Sequence, residues 1–316
     1  MNMLYARAFF LGLAALLMGR TASLHAQEVT QSPEHGEETV TLEFLPARDS
    51  INWLAMSTAR GAPTFRVRID GVEVCGLFDT GSARTIVDLD FARERGLRIS
   101  DFSRPAQALG AEISARRVWA VPVEVPNQFR LQSSMFGIDM PDIACADGMP
   151  LKFVLGSEFI AVMQIVVDNT NKRILFSAGG RVTPSGNMVR LDWQDNAVAG
   201  MVNGRPARLK VDTGSATDLL IEAAHMESFF PDSVLINLPA STAASGRREE
   251  NTGLVDIEYG VGDHVITGRV KRVSDNHDPA VGNIGYRFFS NGVTIFDAGQ
   301  GAIWLQPQEL SDDEPL

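Results

Sequence analysis

The feature that most constrains the fold of this chain is a short motif that occurs twice. The stretch Phe78–Ser82 (FDTGS) returns as Val211–Ser215 (VDTGS). In each copy the aspartate ends an apolar run. It lies eight positions after the glycine of a turn signal, Asp70-Gly71 in the first copy and Asn203-Gly204 in the second. The two aspartates are separated by 133 positions (212 − 79 = 133).

The correspondence continues downstream. Residues 153–176 and 282–305 each read as an apolar run to a glycine, a short helical stretch, a strand ending in aspartate, a turn and a last strand. Gly156 corresponds to Gly285 at a spacing of 129 (285 − 156 = 129). Self-similarity over roughly 100 residues per copy indicates internal duplication. The short apolar runs and turn signals predict a mainly β fold in two similar lobes. Helix is limited to pieces such as 88–97, which Asp88 would cap and Gly96 would stop.

The N-terminus reads as an export signal. Arg7 precedes an apolar stretch, residues 8–18, that is too short to span a bilayer. We therefore expect a signal peptide over residues 1–26, cut before Gln27, with an uncleaved anchor as the alternative. This signal predicts an exported protein, periplasmic or secreted, with no stable membrane span after cleavage.

Composition divides the rest of the chain. Residues 177–187 are rich in Gly, Pro and Ser and mark the join between the two copies. The predicted segments are a flexible leader over 27–50, an N-terminal lobe over 51–180, a C-terminal lobe over 181–307 and an acidic tail over 308–316.

Bulk charge and cysteine content exclude some functions. Apolar residues make up 45% and charged residues 21%, which is typical of a globular protein. The net charge of −11 argues against a nucleic-acid partner, because phosphate binding needs clustered Lys and Arg. Cys75 and Cys145 could form a disulfide in an exported protein or remain two separate thiols. With two cysteines and five scattered histidines, the sequence predicts no metal site.

The repeated loop has the residue types of a carboxylate site. Its glycine permits close backbone approach, its threonine could bond across an interface, and its serine hydroxyl could donate to a carboxylate. These supporting residues are Thr80, Gly81, Ser82, Thr213, Gly214 and Ser215. Two carboxylates about 3 Å apart cannot both ionise, so Asp79 and Asp212 would share one proton. One could then deprotonate a water while the other protonates a carbonyl oxygen. A turn-forming role is the alternative for either aspartate alone.

On these motifs the sequence resembles the aspartic peptidases, and more specifically the retropepsin-like aspartyl proteases of bacteria. The resemblance covers residues 64–307 and rests on the two loops and on the later glycines, Gly156 and Gly285. It implies catalytic roles for Asp79 and Asp212, and structural roles for the two glycines where a later strand crosses each loop. It also implies two β-barrel lobes with an active-site cleft between them. Both lobes lie in one chain, which predicts a monomer with an internal pseudo-dimer; pairing between chains is the alternative.

The function implied by the resemblance is that of an aspartic endopeptidase acting on peptides or proteins without a cofactor. The family's flaps would fall on residues 108–118 and 241–253, neither of which contains the tyrosine of pepsin-like flaps. Asp168 and Asp297 are expected at strand-to-turn junctions away from the centre. The alternative is a non-catalytic peptide-binding or scaffold protein that retains the fold.

Overall fold

The structure, a computed structural model, describes residues 27–30, 39–45, 52–108, 111–242, 248–274 and 280–306. The predicted signal peptide and acidic tail lie outside these ranges. The chain is mainly β and includes a β-barrel, as the sequence predicts. Within the described ranges, no helix is both long and apolar enough to cross a membrane.

Strands dominate both halves of the described chain. The strands of the first half are β1 Gln27–Thr30, β2 Thr39–Phe44, β3 Leu54–Ser57, β4 Thr64–Ile69, β5 Val72–Phe78, β6 Ile86–Asp88, β7 Ile99–Ala108, β8 Ala111–Val125, β9 Phe129–Ile138, β10 Leu151–Leu155, β11 Met163–Asp168 and β12 Arg173–Ala178. Those of the second half are β13 Val189–Gln194, β14 Ala197–Val202, β15 Arg205–Asp212, β16 Leu219–Glu222, β17 Ile236–Thr242, β18 Arg248–Val261, β19 His264–Val273, β20 Gly282–Gly285, β21 Val293–Asp297 and β22 Ala302–Leu305. Helices and 3₁₀ turns are short: α1 Leu89–Glu94, α2 Ser157–Ile160, α3 Ala223–Phe229, and 3₁₀ turns Tyr286–Phe289 and Ala298–Gln300.

Two hairpins lead to the repeated aspartates, β4–β5 in the first half and β14–β15 in the second. Each has a two-residue turn with positive φ at both positions: 48° and 77° at Asp70-Gly71, 49° and 71° at Asn203-Gly204. Asn-Gly and Asp-Gly tolerate this conformation, which matches the twist of the flanking strands. The hairpins predicted from these dipeptides are therefore confirmed.

A later strand lies beside each of these hairpins. Strand β10 runs parallel to β5, with Leu155 opposite Phe78, and antiparallel to β6. Strand β20 runs parallel to β15, with Ile284 opposite Val211, and antiparallel to β16. The apolar run before Gly156 or Gly285 is thus inserted between the strand that leads to the aspartate and the strand that follows it.

A central sheet joins the two halves. Strands β11 and β21 pair antiparallel, with β12 and β3 on one side and β22 and β13 on the other. Val166 lies opposite Ile295 in this register, and these residues are 129 positions apart (295 − 166 = 129), the spacing of the downstream repeat. Equivalent residues of the two copies therefore meet at the middle of the sheet.

Aromatic side chains connect the first aspartate's strand to the second half. Phe78, which directly precedes Asp79, is fully buried, and its ring centroid is 5.2 Å from that of Phe296 on β21. Phe296 in turn packs on Phe289 and on Trp193 of β13. Tilted and edge-on ring pairs of this kind add to the burial of their area, so the packing fixes β5 against the second half.

Helix α1 has the ends that its sequence predicts. The side chain of Asp88 accepts a hydrogen bond from the Phe91 amide at 2.9 Å, which satisfies one of the free amides of the first turn. Gly96 has φ +66°, a left-handed conformation common just beyond a helix end. The prediction of a cap at Asp88 and a stop at Gly96 is confirmed.

The segment predicted as a flexible leader differs from that prediction. Strands β1 and β2 lie within residues 27–50, and β2 pairs antiparallel with β9 from Thr41↔Gln132 to Phe44↔Phe129. Leu42 and Phe44 pack against the main core. The polar composition hid a short apolar-polar alternation, and tertiary pairing with β9 orders this part of the chain.

Cys75 and Cys145 form a disulfide across a sequence separation of 70, with their Cα atoms 6.4 Å apart. Of the two alternatives left open by the sequence, the structure has the bonded one. The bond attaches the loop before β10 to β5, the strand that ends at Asp79.

Candidate active site

The two repeated loops meet through their threonines. The Thr80 amide donates to Oγ1 of Thr213 at 2.9 Å, and the Thr213 amide donates to Oγ1 of Thr80 at 3.0 Å. Each hydroxyl then donates to a carbonyl of the opposite half, Thr80 to Val211 O at 2.7 Å and Thr213 to Phe78 O at 2.9 Å. Both threonines are fully buried. Four reciprocal hydrogen bonds therefore lock the backbone of one loop to that of the other.

The glycines of the loops bring the carboxylates together. A Cβ atom placed on Gly81 would lie closer than 3 Å to the carboxylate of Asp212, and one on Gly214 closer than 3 Å to that of Asp79. Each carboxylate thus occupies the space that a side chain on the other loop would need. Below, Asp79 and Asp212 are called the dyad.

Backbone amides hold each carboxylate in place. Oδ1 of Asp79 accepts from the amides of Gly81 at 2.8 Å and Ser82 at 3.1 Å, and Oδ1 of Asp212 accepts from the amide of Ser215 at 3.1 Å. The hydroxyl of Ser82 instead donates to Arg84 O, and that of Ser215 accepts from the Thr217 amide. The serines therefore contact the carboxylates through their amides, and not through the hydroxyls that the sequence suggested.

Burial and mutual repulsion set the protonation of the dyad. Burial, and then the charge of Asp212, raise the pKa of Asp79 from 3.8 to about 7, although hydrogen bonds from backbone amides act to lower it. Burial also raises the pKa of Asp212, while hydrogen bonds from Asn283 and from the Ser215 amide lower it. Because Asp79 holds its proton to near neutrality, the dyad can keep one proton between its two carboxylates through the acidic range.

Each loop is crossed by the strand that the sequence predicted. A Cβ atom on Gly156 would lie closer than 3 Å to the backbone of Arg84, and one on Gly285 closer than 3 Å to the carbonyl oxygen of Thr217. Arg84 and Thr217 are themselves 133 positions apart (217 − 84 = 133). Backbone cannot give way as a flexible side chain can, so only glycine fits at either crossing.

Two further side chains reach the site, and the sequence reasoning missed both. Nδ2 of Asn283, on β20, donates to Oδ2 of Asp212 at 3.2 Å. Nδ2 of Asn196 donates to Thr80 O at 2.6 Å and to Val211 O at 3.2 Å. A signal did exist for Asn283, since it is a polar residue within the apolar run that precedes Gly285.

The loops are braced by different side chains in the two halves. In the first half, Oγ1 of Thr85 accepts from the Gly156 amide at 3.0 Å, and the Thr85 amide donates to Glu158. In the second half, the Gly285 amide donates to Asp218 O at 3.0 Å, and Oδ2 of Asp218 accepts from Arg287 at 2.7 Å. Residues 85 and 218 are equivalent at a spacing of 133, and residues 158 and 287 at 129.

Asp168 and Asp297 take no part in the site. Asp168 accepts from Arg173 and from the amide of Asn171 in the turn after β11. Asp297 is fully buried at the end of β21 and accepts from Gln164 and from the Gly180 amide. Both lie at strand-to-turn junctions, as predicted.

The predicted flap segments fall on two long hairpins, β7–β8 and β17–β18. Their outermost described pairs are Ala108↔Ala111 and Thr242↔Arg248. The tips, residues 109–110 and 243–247, lie outside the described residues.

Among the residues that the structure describes, no group of three or more His, Cys, Asp or Glu side chains is placed to hold a metal ion.

A family model described as aspartyl protease matches residues 65–159. The matched segment contains the first loop, Phe78–Ser82, and the crossing glycine, Gly156. No curated protein sequence matches the chain. The match supports an aspartyl protease family for the segment that carries Asp79 and thereby suggests a peptidase.

Proposed function

We propose that the chain is an aspartic endopeptidase in which the dyad activates a water for peptide-bond hydrolysis. The observation that carries this proposal is that the carboxylate of each aspartate lies against the glycine of the opposite loop. The first loop lies within the segment matched by the aspartyl protease model. The second loop repeats its Asp-Thr-Gly-Ser residues and its threonine hydrogen bonds.

The proposed catalytic unit is a single chain with two lobes, over about residues 51–180 and 181–307, and a cleft between them. Support comes from the equivalent placement of β10 and β20 and from the pairing of Val166 with Ile295. Because the threonine contacts join residues of one chain, one copy contains both aspartates. We therefore infer a monomer with an internal pseudo-dimer, whose first lobe also includes β2.

In the proposed mechanism, the ionised aspartate removes a proton from a water held between the carboxylates. The water oxygen adds to the carbonyl carbon of the peptide, and the protonated aspartate gives its proton to the carbonyl oxygen. When the tetrahedral intermediate collapses, the C–N bond breaks and its nitrogen takes a proton from the dyad. A hydroxyl of the intermediate returns one, so the dyad ends with a single proton as it began.

We further propose that an extended peptide or protein segment lies in the cleft, under the β7–β8 and β17–β18 hairpins, and pairs with them as an added strand. Export to the periplasm or beyond is also proposed. The disulfide between Cys75 and Cys145 favours an oxidising compartment, because such bonds are rare in the cytosol.

The test is digestion of a peptide library by the wild-type chain, Asp79→Asn and Asp212→Asn, with products identified by mass spectrometry. Each variant should lose cleavage while keeping a cooperative unfolding transition. Asp263→Asn serves as the matched control, since Asp263 is exposed in the turn between β18 and β19. Cleavage by either dyad variant near the wild-type rate would refute the mechanism. A wild-type chain that binds peptides without cutting them would instead indicate a binding protein.

A further inference from the structure

Asn283 gives the dyad a contact that only one of its aspartates has. It lies on β20, two residues before the crossing glycine, and donates from Nδ2 to Oδ2 of Asp212 at 3.2 Å. On that strand it is opposite Lys210 of β15 and Leu220 of β16, so backbone pairing on both sides fixes its position.

The equivalent residue in the first half is Val154. It lies two residues before Gly156, at the repeat spacing of 129 (283 − 154 = 129), and is opposite Leu77 of β5 and Ile86 of β6. Val154 is buried and has no donor to offer Asp79. The two copies therefore match in backbone and differ in side chain at the position that faces the dyad.

This difference makes the two aspartates unequal. Asp212 has amide donors on both oxygens, the Ser215 amide on Oδ1 and Asn283 on Oδ2. The amides of Gly81 and Ser82 both donate to Oδ1 of Asp79, and a backbone hydrogen bond from Gly214 also lowers its pKa. Asp79 has no counterpart of the Asn283 side chain, because Val154 occupies the equivalent position. Because a hydrogen-bond donor favours the ionised form of a carboxylate, Asn283 favours the charge on Asp212, and that charge in turn raises the pKa of Asp79.

We propose that Asn283 is a positioning residue that holds the negative charge on Asp212 and the shared proton on Asp79, so that Asp212 is the base toward water. This inference rests on the proposed peptidase function and assigns roles within the same site. Asp79 is then the acid that protonates the carbonyl oxygen of the substrate.

The proposal predicts an uneven change in pH dependence. The dyad loses two protons in succession, and the state with one proton is the active one. Removing Asn283 makes the first ionisation harder, because the charge forms on Asp212. The second ionisation changes little, since Asp212 is already charged before and after it. The acid limb of the kcat profile should therefore move to higher pH while the alkaline limb stays in place.

The experiment measures kcat from about pH 3 to about pH 8 for the wild-type chain and Asn283→Val, which copies the residue of the first half. In the variant the acid limb should shift to higher pH by about one unit, which is the shift expected from losing a hydrogen bond to a charged group. Asn283→Leu has a branched shape closer to that of asparagine and serves if the valine variant does not fold. Asn169→Val is the control, because Asn169 is a buried asparagine that bonds Phe289 O and Tyr286 instead of the dyad.

A second measurement separates this inference from the proposed activity. Urea unfolding over the same pH range should show that Asn283→Val destabilises the chain more after the first ionisation of the dyad than before it. In an Asp212→Asn background the effect of Asn283→Val should not depend on pH. An unchanged acid limb, or a destabilisation that is constant with pH, overturns the role of Asn283. A wild-type chain without peptidase activity overturns the proposed function, while the unfolding series still decides where the charge lies.

Discussion

The reciprocal threonine contact predicts unequal effects for two chemically identical substitutions. Thr80→Val and Thr213→Val each replace a buried hydroxyl by a methyl group of similar size. Thr213→Val leaves the Thr80 amide and Phe78 O without their partner. Thr80→Val leaves the Thr213 amide without its partner, but Val211 O keeps a second donor, Nδ2 of Asn196. The copies differ here because Pro63, which has no side-chain donor, occupies the position equivalent to Asn196 (196 − 63 = 133).

The magnitude follows from the number of buried groups left unpaired. A buried donor or acceptor without a partner costs about 1–3 kcal/mol. Thr213→Val leaves two groups unpaired, and we expect it to lower the free energy of unfolding by about 4 kcal/mol. Thr80→Val leaves one group unpaired and should lower it by about 2 kcal/mol. Equilibrium unfolding in urea measures both values at one pH, provided that the denaturant slopes agree.

Serine variants at the same two positions serve as controls for the loss of the hydroxyl. Thr80→Ser and Thr213→Ser keep the hydroxyl and should cost clearly less than the valine variants, because they lose only a methyl group. If the two valine variants differ by less than about 0.5 kcal/mol, the second donor from Asn196 has no energetic effect. If the serine variants are as unstable as the valine variants, packing rather than hydrogen bonding explains the result.

Three further predictions concern the dyad, the crossings and the disulfide. Burial and the charge of Asp212 raise the folded-state pKa of Asp79 from 3.8 to about 7, so the stability contributed by its protonated form is complete below about pH 4 and is lost as the pH rises through 7. The free energy of unfolding of the wild-type chain, measured in urea, should therefore fall by roughly 4 kcal/mol over this range relative to that of Asp79→Asn. Gly156→Ala and Gly285→Ala should each cost roughly 3 kcal/mol or more or prevent folding, whereas Gly186→Ala, with open space around it, should be neutral in the same thermal-shift assay. Replacing Cys75 and Cys145 together by serine should cost about 4 kcal/mol for a closed loop of 70 residues, and reductant should destabilise the wild-type chain but leave this variant unchanged.

The parts of the site that could be predicted are those that the two copies share. The aspartates, threonines and glycines of the loops recur at one spacing, and the crossing glycines recur at another. The repeat alone therefore predicts that these residues belong to one site. Backbone contacts between duplicated segments obey the same steric rules in each copy, which is why Gly156 and Gly285 behave alike. The turn dipeptides before β5 and β15 were predictable because their positive φ angles restrict the residue types.

The parts that escaped prediction are those where the copies differ or where backbone atoms act. Asn196 and Asn283 correspond to Pro63 and Val154, so the repeat offered no second instance to compare. The serine amides reach the carboxylates because of the loop's conformation, which side-chain chemistry alone does not reveal. Strand β2 was missed because its pairing partner, β9, lies far along the chain, and local composition does not record such a contact.

The differences between the copies also occur in matched pairs. Asp218 accepts from Arg287 in the second half, where the first half has Thr85 beside Glu158. Changing Thr85 alone to aspartate would place a second buried carboxylate beside Glu158, whose pKa burial already raises; both partners must therefore differ together. The backbone that holds the dyad thus stays the same in the two halves, while neighbouring side chains differ in sets that remain paired. Such a frame lets one aspartate gain a donor, as Asp212 has from Asn283, without disturbing the contacts that keep the two carboxylates together.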